Sequence, residues 1–221
     1  FFLDYLAVGR LDPDRVEALM VGLVAGCEQA GCALVGGEMA EHPGTMEPDA
    51  LDVAGFAVGV VERDRLITGE AVRPGDSLVG LASPGWRSNG FSLARAALID
   101  PDDPAGSLAT PAYGDAPDGP SVADELLCPS VIYAPAVAAM LGEGPVHAVA
   151  HITGGGLVGN LPRVMPPDTA ARLDPQAWER PPIVSEIARR GGVAEDELRR
   201  VFNLGIGMVV AIAVLGGLRE V

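Results

Sequence analysis

The segment VHAVAHITGGGLVGNLPRVM, residues 146–165, holds the residues of this chain best suited to chemistry. Alternating β-type sequence runs to His151 and is followed by Thr153, Gly154, Gly155 and Gly156, after which LVGNL reads as helix up to Pro162. A strand that ends in a glycine turn and opens a helix leaves backbone N–H groups without intrahelical partners. With the helix dipole behind them, they suit an anion, most often phosphate. Adjacent glycines let the backbone approach a ligand with no Cβ in the way. The same pattern also suits a plain tight turn. His151 fits two roles: contact with a phosphate and proton transfer, or a core histidine satisfied by hydrogen bonds. His147 shares its strand face, but with no Cys or third His close by the pair does not make a metal site.

Three further groups could bear on the same chemistry. Gly36 and Gly37 follow the strand Ala33–Val35 and precede Glu38 and Glu41. Carboxylates beside a Gly-Gly turn suit a Mg²⁺ that bridges nucleotide phosphates, since Mg²⁺ takes few protein oxygens; the alternative is a solvated acidic loop. Ser88-Asn89-Gly90 opens a helix, where Ser or Asn is an N-cap first and a ligand contact second. Arg87 beside them is either a surface residue or an anion fork. Asn203-Leu204-Gly205 reads as an ordinary turn, and His42, before Pro43, as exposed. No Ser-His-Asp or Cys-His arrangement can be built. All 15 basic residues are Arg, so a lysine-bearing phosphate loop is excluded and phosphate would be held by backbone, Arg and metal.

Composition narrows the class. The chain has 221 residues, 48% hydrophobic and 5% aromatic, enough for a sizeable core of Val, Leu, Ala and Ile. A net charge of −15 argues against nucleic acid as a partner, which would need a basic stripe. Cys27, Cys32 and Cys128 form no CxxC, which argues against a disulfide framework or zinc site. No apolar run approaches the ~20 residues that cross a bilayer, and the chain reads as soluble and cytoplasmic. It opens on FFLDY without Met and stops just after an apolar strand, which reads as a fragment.

The elements that must position these residues follow from periodicity and caps. Phe1–Tyr5 is a short strand. Asp12 is an N-cap, Pro13 a first helical residue and Gly31 a C′ residue, so a helix spans 13–30, with Gly22 and Gly26 suited to close backbone packing. A polar loop covers 38–50. Leu51–Val61, apolar on both faces, reads as a central strand. A turn-rich stretch places a domain boundary near residue 72. Strands at 77–82, 146–151, 169–173 and 205–215 and helices at 91–98, 122–127, 130–141, 182–190 and 195–201 complete the chain, with a Pro/Gly/Asp-rich excursion at 100–118. The class is α+β, in two domains, 1–72 and 73–221.

Taken together, FFLDYLAVGRLD, CALVGGEMAEHPG with LDVAGFAVGVVE, SNGFSLAR, and HAVAHITGGGLVGNLPRVMP with FNLGIGM resemble the aminoimidazole ribonucleotide synthetases, or phosphoribosylformylglycinamidine cyclo-ligases. The resemblance is strong over 1–98 and 126–210. It implies ATP-dependent ring closure of formylglycinamidine ribonucleotide through a phosphorylated amide in purine biosynthesis. It also implies ATP and Mg²⁺ as cofactors and a homodimer, whose N-terminal halves share a β-barrel with ATP at the interface and whose C-terminal α/β lobes carry a mixed sheet. Gly36, Gly37 and Glu38 would then lie by nucleotide and metal, Thr153–Gly156 would form the anion loop, Ser88 and Asn89 would line the cleft, and His151 would border the substrate. Two departures stand out: Arg87 replaces a family His, and the family's preceding region, with its Gly-rich loop, Lys and Asp residues, is not in this sequence. Competing readings are another ATP-dependent member of the superfamily, such as a selenophosphate synthetase or thiamine monophosphate kinase, and a non-catalytic nucleotide-binding or dimerisation module. HITGGG in place of a DVTGFG-type motif speaks against the selenophosphate synthetase.

Overall fold

The computed structural model describes residues 1–114 and 118–213. They form two compact units, Phe1–Leu66 with Ile132–Ala139, and Ile67–Val131 with the described residues from Met140 on.

In the first unit β1 (Phe2–Val8) is followed by α1 (Pro13–Ala30), β2 (Leu34–Glu41) and β3 (Leu51–Ala57). α1 forms as its caps dictate. The Asp12 carboxylate accepts from the N–H groups of Asp14 and Arg15, Pro13 stands in the first turn, and Gly31 closes the helix at φ 66°. Gly31 and Cys32 return their N–H groups to Glu28 and Cys27, the paired bonds of a Schellman end. Among the described residues no backbone packs on Gly22 or Gly26: a Cβ at Gly22 would meet nothing of them within 4 Å, and one at Gly26 only the Ile132 side chain.

The sheet order is β2-β1-β3, with β1 parallel to β2 and antiparallel to β3. This overturns two expectations. β3 lies at an edge, ends at Ala57 and leaves Phe56 57% exposed, so its two-faced apolarity does not reflect a central place within this sheet. β2 does not stop at Val35 but runs through Gly36, Gly37 and Glu38, because β1 supplies a ladder for it: Leu3 stands opposite Gly36, Asp4 opposite Gly37 and Tyr5 opposite Glu38. Gly37 is required there, since a Cβ would lie 2.2 Å from Asp4 Oδ1.

The second unit contains β4 (Ser77–Ala82), α2 (Phe91–Leu98), α3 (Pro104–Ala109), α4 (Val122–Leu126), β5 (Val146–His151), α6 (Gly156–Asn160) with a 3₁₀ turn at Leu161–Val164, α7 (Pro182–Gly191), α8 (Glu195–Val201) and β6 (Ile206–Ile212). A helix over Ala134–Glu143, α5, starts later than expected because Pro135 belongs to its first turn. The sheet order is β4-β6-β5 and both pairings are antiparallel. The expected mixed sheet is therefore not found among the described residues: β6 separates the two strands that run the same way. Residues 214 and 215 of the expected last strand lie outside the described residues. The expected strand 169–173 does not form. Prolines at 166, 167 and 175 remove ladder donors around it, and Ala171 and Leu173 instead pack on a cluster that contains Ile152, Leu157, Leu161 and Ile206.

The main core of this unit gathers Trp86, Leu98, Val122, Ile183, Val184, Ile187, Leu198 and Phe202. The Trp86 ring lies tilted against Phe91, with centroids 4.2 Å apart, and 6.0 Å from Phe202. Each such buried side chain contributes about 1.5–3 kcal/mol, so the loop that follows Trp86 is anchored at its base. Near the start of the sheet, His147 Nδ1 meets Asp76 Oδ2 at 2.7 Å, and Asp76 also accepts from the Arg73 N–H. Burial alone would raise the Asp76 carboxyl, but the His147 hydrogen bond and the Arg73 N–H outweigh it and hold it below the usual range. His147 is thus a hydrogen-bond partner of Asp76 within the fold, apart from the contacts of His151.

Candidate functional site

Sixty-four residues separate Arg87 from His151, yet Arg87 Nη2 lies 2.8 Å from His151 Nε2. A guanidinium only donates, so Nε2 accepts and His151 carries its proton on Nδ1 when neutral. Burial first, and the Arg87 charge second, hold His151 below the ordinary histidine value. Arg87 sits at φ 69°, a left-handed conformation costly for a residue with a Cβ. The buried Trp86 on one side and the α2 start on the other hold it there.

Asn89 joins the same cluster. A Cβ on Gly154 would lie 3.7 Å from Asn89 Nδ2. The expectation that Ser88 or Asn89 caps α2 does not hold: the N-cap is Gly90 at φ 89°, with no side-chain cap bond. The side chains of Ser88, exposed, and Asn89, half-buried, are not used by the helix. Gly90 is needed because a Cβ there would lie 2.4 Å from the Phe202 ring.

The glycine loop is a tight turn with directed amides. Gly155 donates its N–H to Arg200 O at 2.8 Å and Gly156 to Thr153 O at 3.0 Å. Among the described residues no carbonyl accepts from Thr153 or Gly154, so the outward donors of the loop are fewer than three glycines suggest. Gly155 (φ 101°) and Gly156 (φ 60°) are left-handed, and Gly156 backs onto α8, where a Cβ would lie 1.9 Å from Arg199 O.

Arg87, Asn89, His151 and Gly154 therefore come together, and all four offer N–H donors. A donor-rich cluster around one guanidinium suits an anion with several oxygens. A groove of about 300 Å³ lined by Leu157, Ala171, Leu173, Trp178, Arg199 and Leu204 adjoins α6 but takes in none of the cluster. Its Arg180 and Arg199 are already bound to Glu195.

Gly36, Gly37 and Glu38 belong to the first unit, in mid-strand rather than at a turn. Glu38 Oε1 accepts from the adjacent Met39 N–H, and Glu41 Oε1 from Leu11 N–H. Among the described residues no three His, Cys, Asp or Glu gather in a way that could hold a metal.

Of two residues in the site's frame, Asn160 escaped the sequence reading and Asn203 was read only as part of a turn. Asn160, 4% exposed, donates Nδ2 to the carbonyls of Thr153, Gly154 and Gly156 and accepts from the Thr153 hydroxyl. Asn203, 3% exposed, donates to Ser83 Oγ, accepts from Gly205 N–H and ties the loop after β4 to the start of β6. An Asn beside glycine reads locally as a turn, and nothing in its neighbours tells that its side chain points inward.

Residues 73–213 match the family described as AIR synthase related protein, C-terminal domain, and residues 1–61 its N-terminal domain. Relatives named phosphoribosylformylglycinamidine cyclo-ligase from Myxococcus xanthus (strain DK1622) and Symbiobacterium thermophilum are each 50% identical, over 213 and 214 residues. Each alignment covers 96% of this chain and 60% of the relative, so the chain spans about three fifths of their length. Among solved structures, the hydrogenase maturation protein HypE of E. coli superposes with a TM-score of 0.52 at 17% identity, over 96% of this chain and 58% of that one, a likeness of fold. The chain belongs to the AIR synthase related family.

Proposed function

We propose that the whole protein is an ATP-dependent cyclo-ligase that closes the imidazole ring of formylglycinamidine ribonucleotide. The observation that carries this reading is the 50% identity, across 96% of the chain, to relatives that bear the cyclo-ligase name. The donor cluster of Arg87, Asn89, His151 and Gly154 supports it. Phosphoryl transfer to an amide oxygen makes its demands chiefly through positioning and charge stabilisation. In this reading the guanidinium and amides hold phosphate oxygens of substrate or nucleotide, Ser88 lines the cleft, and Thr153–Gly156 forms its anion loop. His151 borders the reacting amide. With Nε2 taken by Arg87, any proton it moves passes through Nδ1.

Gly36 and Gly37 would lie by the nucleotide, and Glu38 would supply one oxygen to Mg²⁺. With no three-residue acidic cluster among the described residues, Mg²⁺ here would depend on phosphate and water for its remaining ligands, which suits its ordinary coordination. Bound Mg²⁺ would neutralise charge on the transferred phosphate. Residues 1–72 would form part of an ATP-binding and dimerisation domain and 73–221 a second domain, in a cytoplasmic homodimer. The edges of the first sheet, β2 and β3, are where a partner's strands would pair to complete a barrel. Among the described residues no helix is long and apolar enough to cross a membrane.

A coupled assay of ADP release by the whole protein tests the reading. Release that depends on formylglycinamidine ribonucleotide and Mg²⁺ is expected, and release indifferent to that substrate overturns it.

A further inference from the structure

We infer that Asn160 is a positioning residue that aims the Gly154 N–H of the glycine loop at the anion. The inference rests on the reading of this loop as a phosphate site. Asn160 is buried, and the two hydrogens of Nδ2 serve three carbonyls, those of Thr153 at 3.3 Å, Gly154 at 3.3 Å and Gly156 at 2.7 Å. Its Oδ1 accepts from Thr153 Oγ1 at 3.2 Å. In a trans peptide the N–H points opposite the C=O. Drawing these carbonyls toward one amide therefore turns the N–H groups of Gly154, Gly155 and Leu157 away from it. The Gly155 N–H is taken by Arg200 O at 2.8 Å and so serves the fold. The Gly154 N–H, turned from Asn160 by the same geometry, has no carbonyl acceptor among the described residues, and a Cβ on Gly154 would lie 3.7 Å from Asn89 Nδ2. Asn160 touches no ligand in this arrangement; it acts through the peptide planes.

Asparagine is the type this task needs, since it offers donors to the carbonyls and an acceptor to the Thr153 hydroxyl without charge. Asn160→Asp keeps the shape and the acceptor but sets a carboxylate against three carbonyl oxygens. Burial and those oxygens oppose ionisation, and a protonated Asp regains one donor. The variant should therefore lose anion affinity at high pH and recover it in acid. Charged groups on the elements around α6 are His151, Arg163, Asp168, Arg172, Glu195, Asp196, Glu197, Arg199 and Arg200, with Arg87 against His151. All are common to wild type and variant, so the ratio of the two affinities isolates position 160.

The experiment titrates the whole protein with inorganic phosphate by calorimetry between pH 5.5 and 8. For Asn160→Asp, dissociation constants about tenfold above wild type at pH 8, converging to within about threefold at pH 5.5, are expected. Asn160→Ala should lose affinity at every pH with no recovery in acid. Affinities equal to wild type in both variants, or a pH-independent deficit in Asn160→Asp, overturn the inference. If wild type binds no phosphate, the reading of the loop as an anion site fails. The inference falls with that reading, whereas phosphate binding by wild type with unaltered variants overturns the inference alone.

Discussion

Replacing Gly154, Gly155 and Gly156 by alanine, one at a time, separates binding from folding within three consecutive residues. At Gly156 the backbone stands at φ 60°, and a Cβ would lie 1.9 Å from Arg199 O and 3.1 Å from Phe202 O. The left-handed conformation costs alanine about 1–2 kcal/mol. The overlap is with backbone, so no rotamer change relieves it, and α8 or the turn must move. A total above ~3 kcal/mol follows, which for a chain of this size lowers Tm by at least about 6 °C. At Gly155 the φ of 101° is as unfavourable, but the nearest atom lies at 3.5 Å, so only the conformational cost of about 1–3 kcal/mol applies. Gly154 is not left-handed, and its Cβ would find only Asn89 Nδ2 at 3.7 Å. Gly154→Ala should therefore hold Tm within about 3 °C. Its methyl would stand beside the outward donors, and substrate-dependent ADP release should fall by about tenfold or more. Thermal unfolding and the ADP assay, run on the same three preparations, give the answer. A Gly156→Ala protein as stable as wild type would refute the packing argument, and a Gly154→Ala protein with unchanged kinetics would refute the placing of the ligand.

Two other outcomes follow from the electrostatics. Arg87→Gln should raise the His151 titration midpoint, followed by NMR, while leaving it below the ordinary value of about 6.5, because burial, the larger cause, persists. With His151 depressed in the native state, the unfolded chain binds the proton more readily, so native stability falls as pH drops below about 6.5; Arg87→Gln should narrow that loss, and an unmoved midpoint would speak against the contact. Glu186 accepts from Arg189 and Arg190, and Arg190 also holds the carbonyls of Pro111 and Ala112. The Arg189 hydrogen bond, against burial and with help from Arg190, lowers the Glu186 carboxyl to about 2. After allowance for solvent screening, Glu186→Gln should cost about 1–2 kcal/mol at pH 7 in urea unfolding. A depressed carboxyl stabilises above its unfolded value of about 4.3 and loses this as pH falls toward 2, so the gap should close there; a gap that stays constant into that range would contradict the ion-pair account.

The elements whose signals lie within one or two turns were legible from the residues alone. Asp12, Pro13 and Gly31 bound α1 because capping satisfies the orphan groups of the helix itself, whatever packs around it. The strand, glycine turn and helix over 146–160, and the later helices α7 and α8, were readable for the same reason. The site residues could be nominated from type and spacing, Arg87, Asn89, His151 and Gly154 among them. Their meeting could not, since the pair Arg87 and His151 is set by where β4 and β5 flank β6. Gly36 and Gly37 looked like a turn because glycine disfavours strands locally; a ladder from β1 overrode that preference. The helix start at Phe91 was legible, but Ser88 and Asn89, which looked like caps, give no cap bond: Gly90, packed against Phe202, is the N-cap. Caps and periodicity are local energies that a sequence displays directly. Strand partners, the inward turn of Asn160 and the lowered titration of His151 depend on atoms brought from distant positions, so only the folded structure decided them.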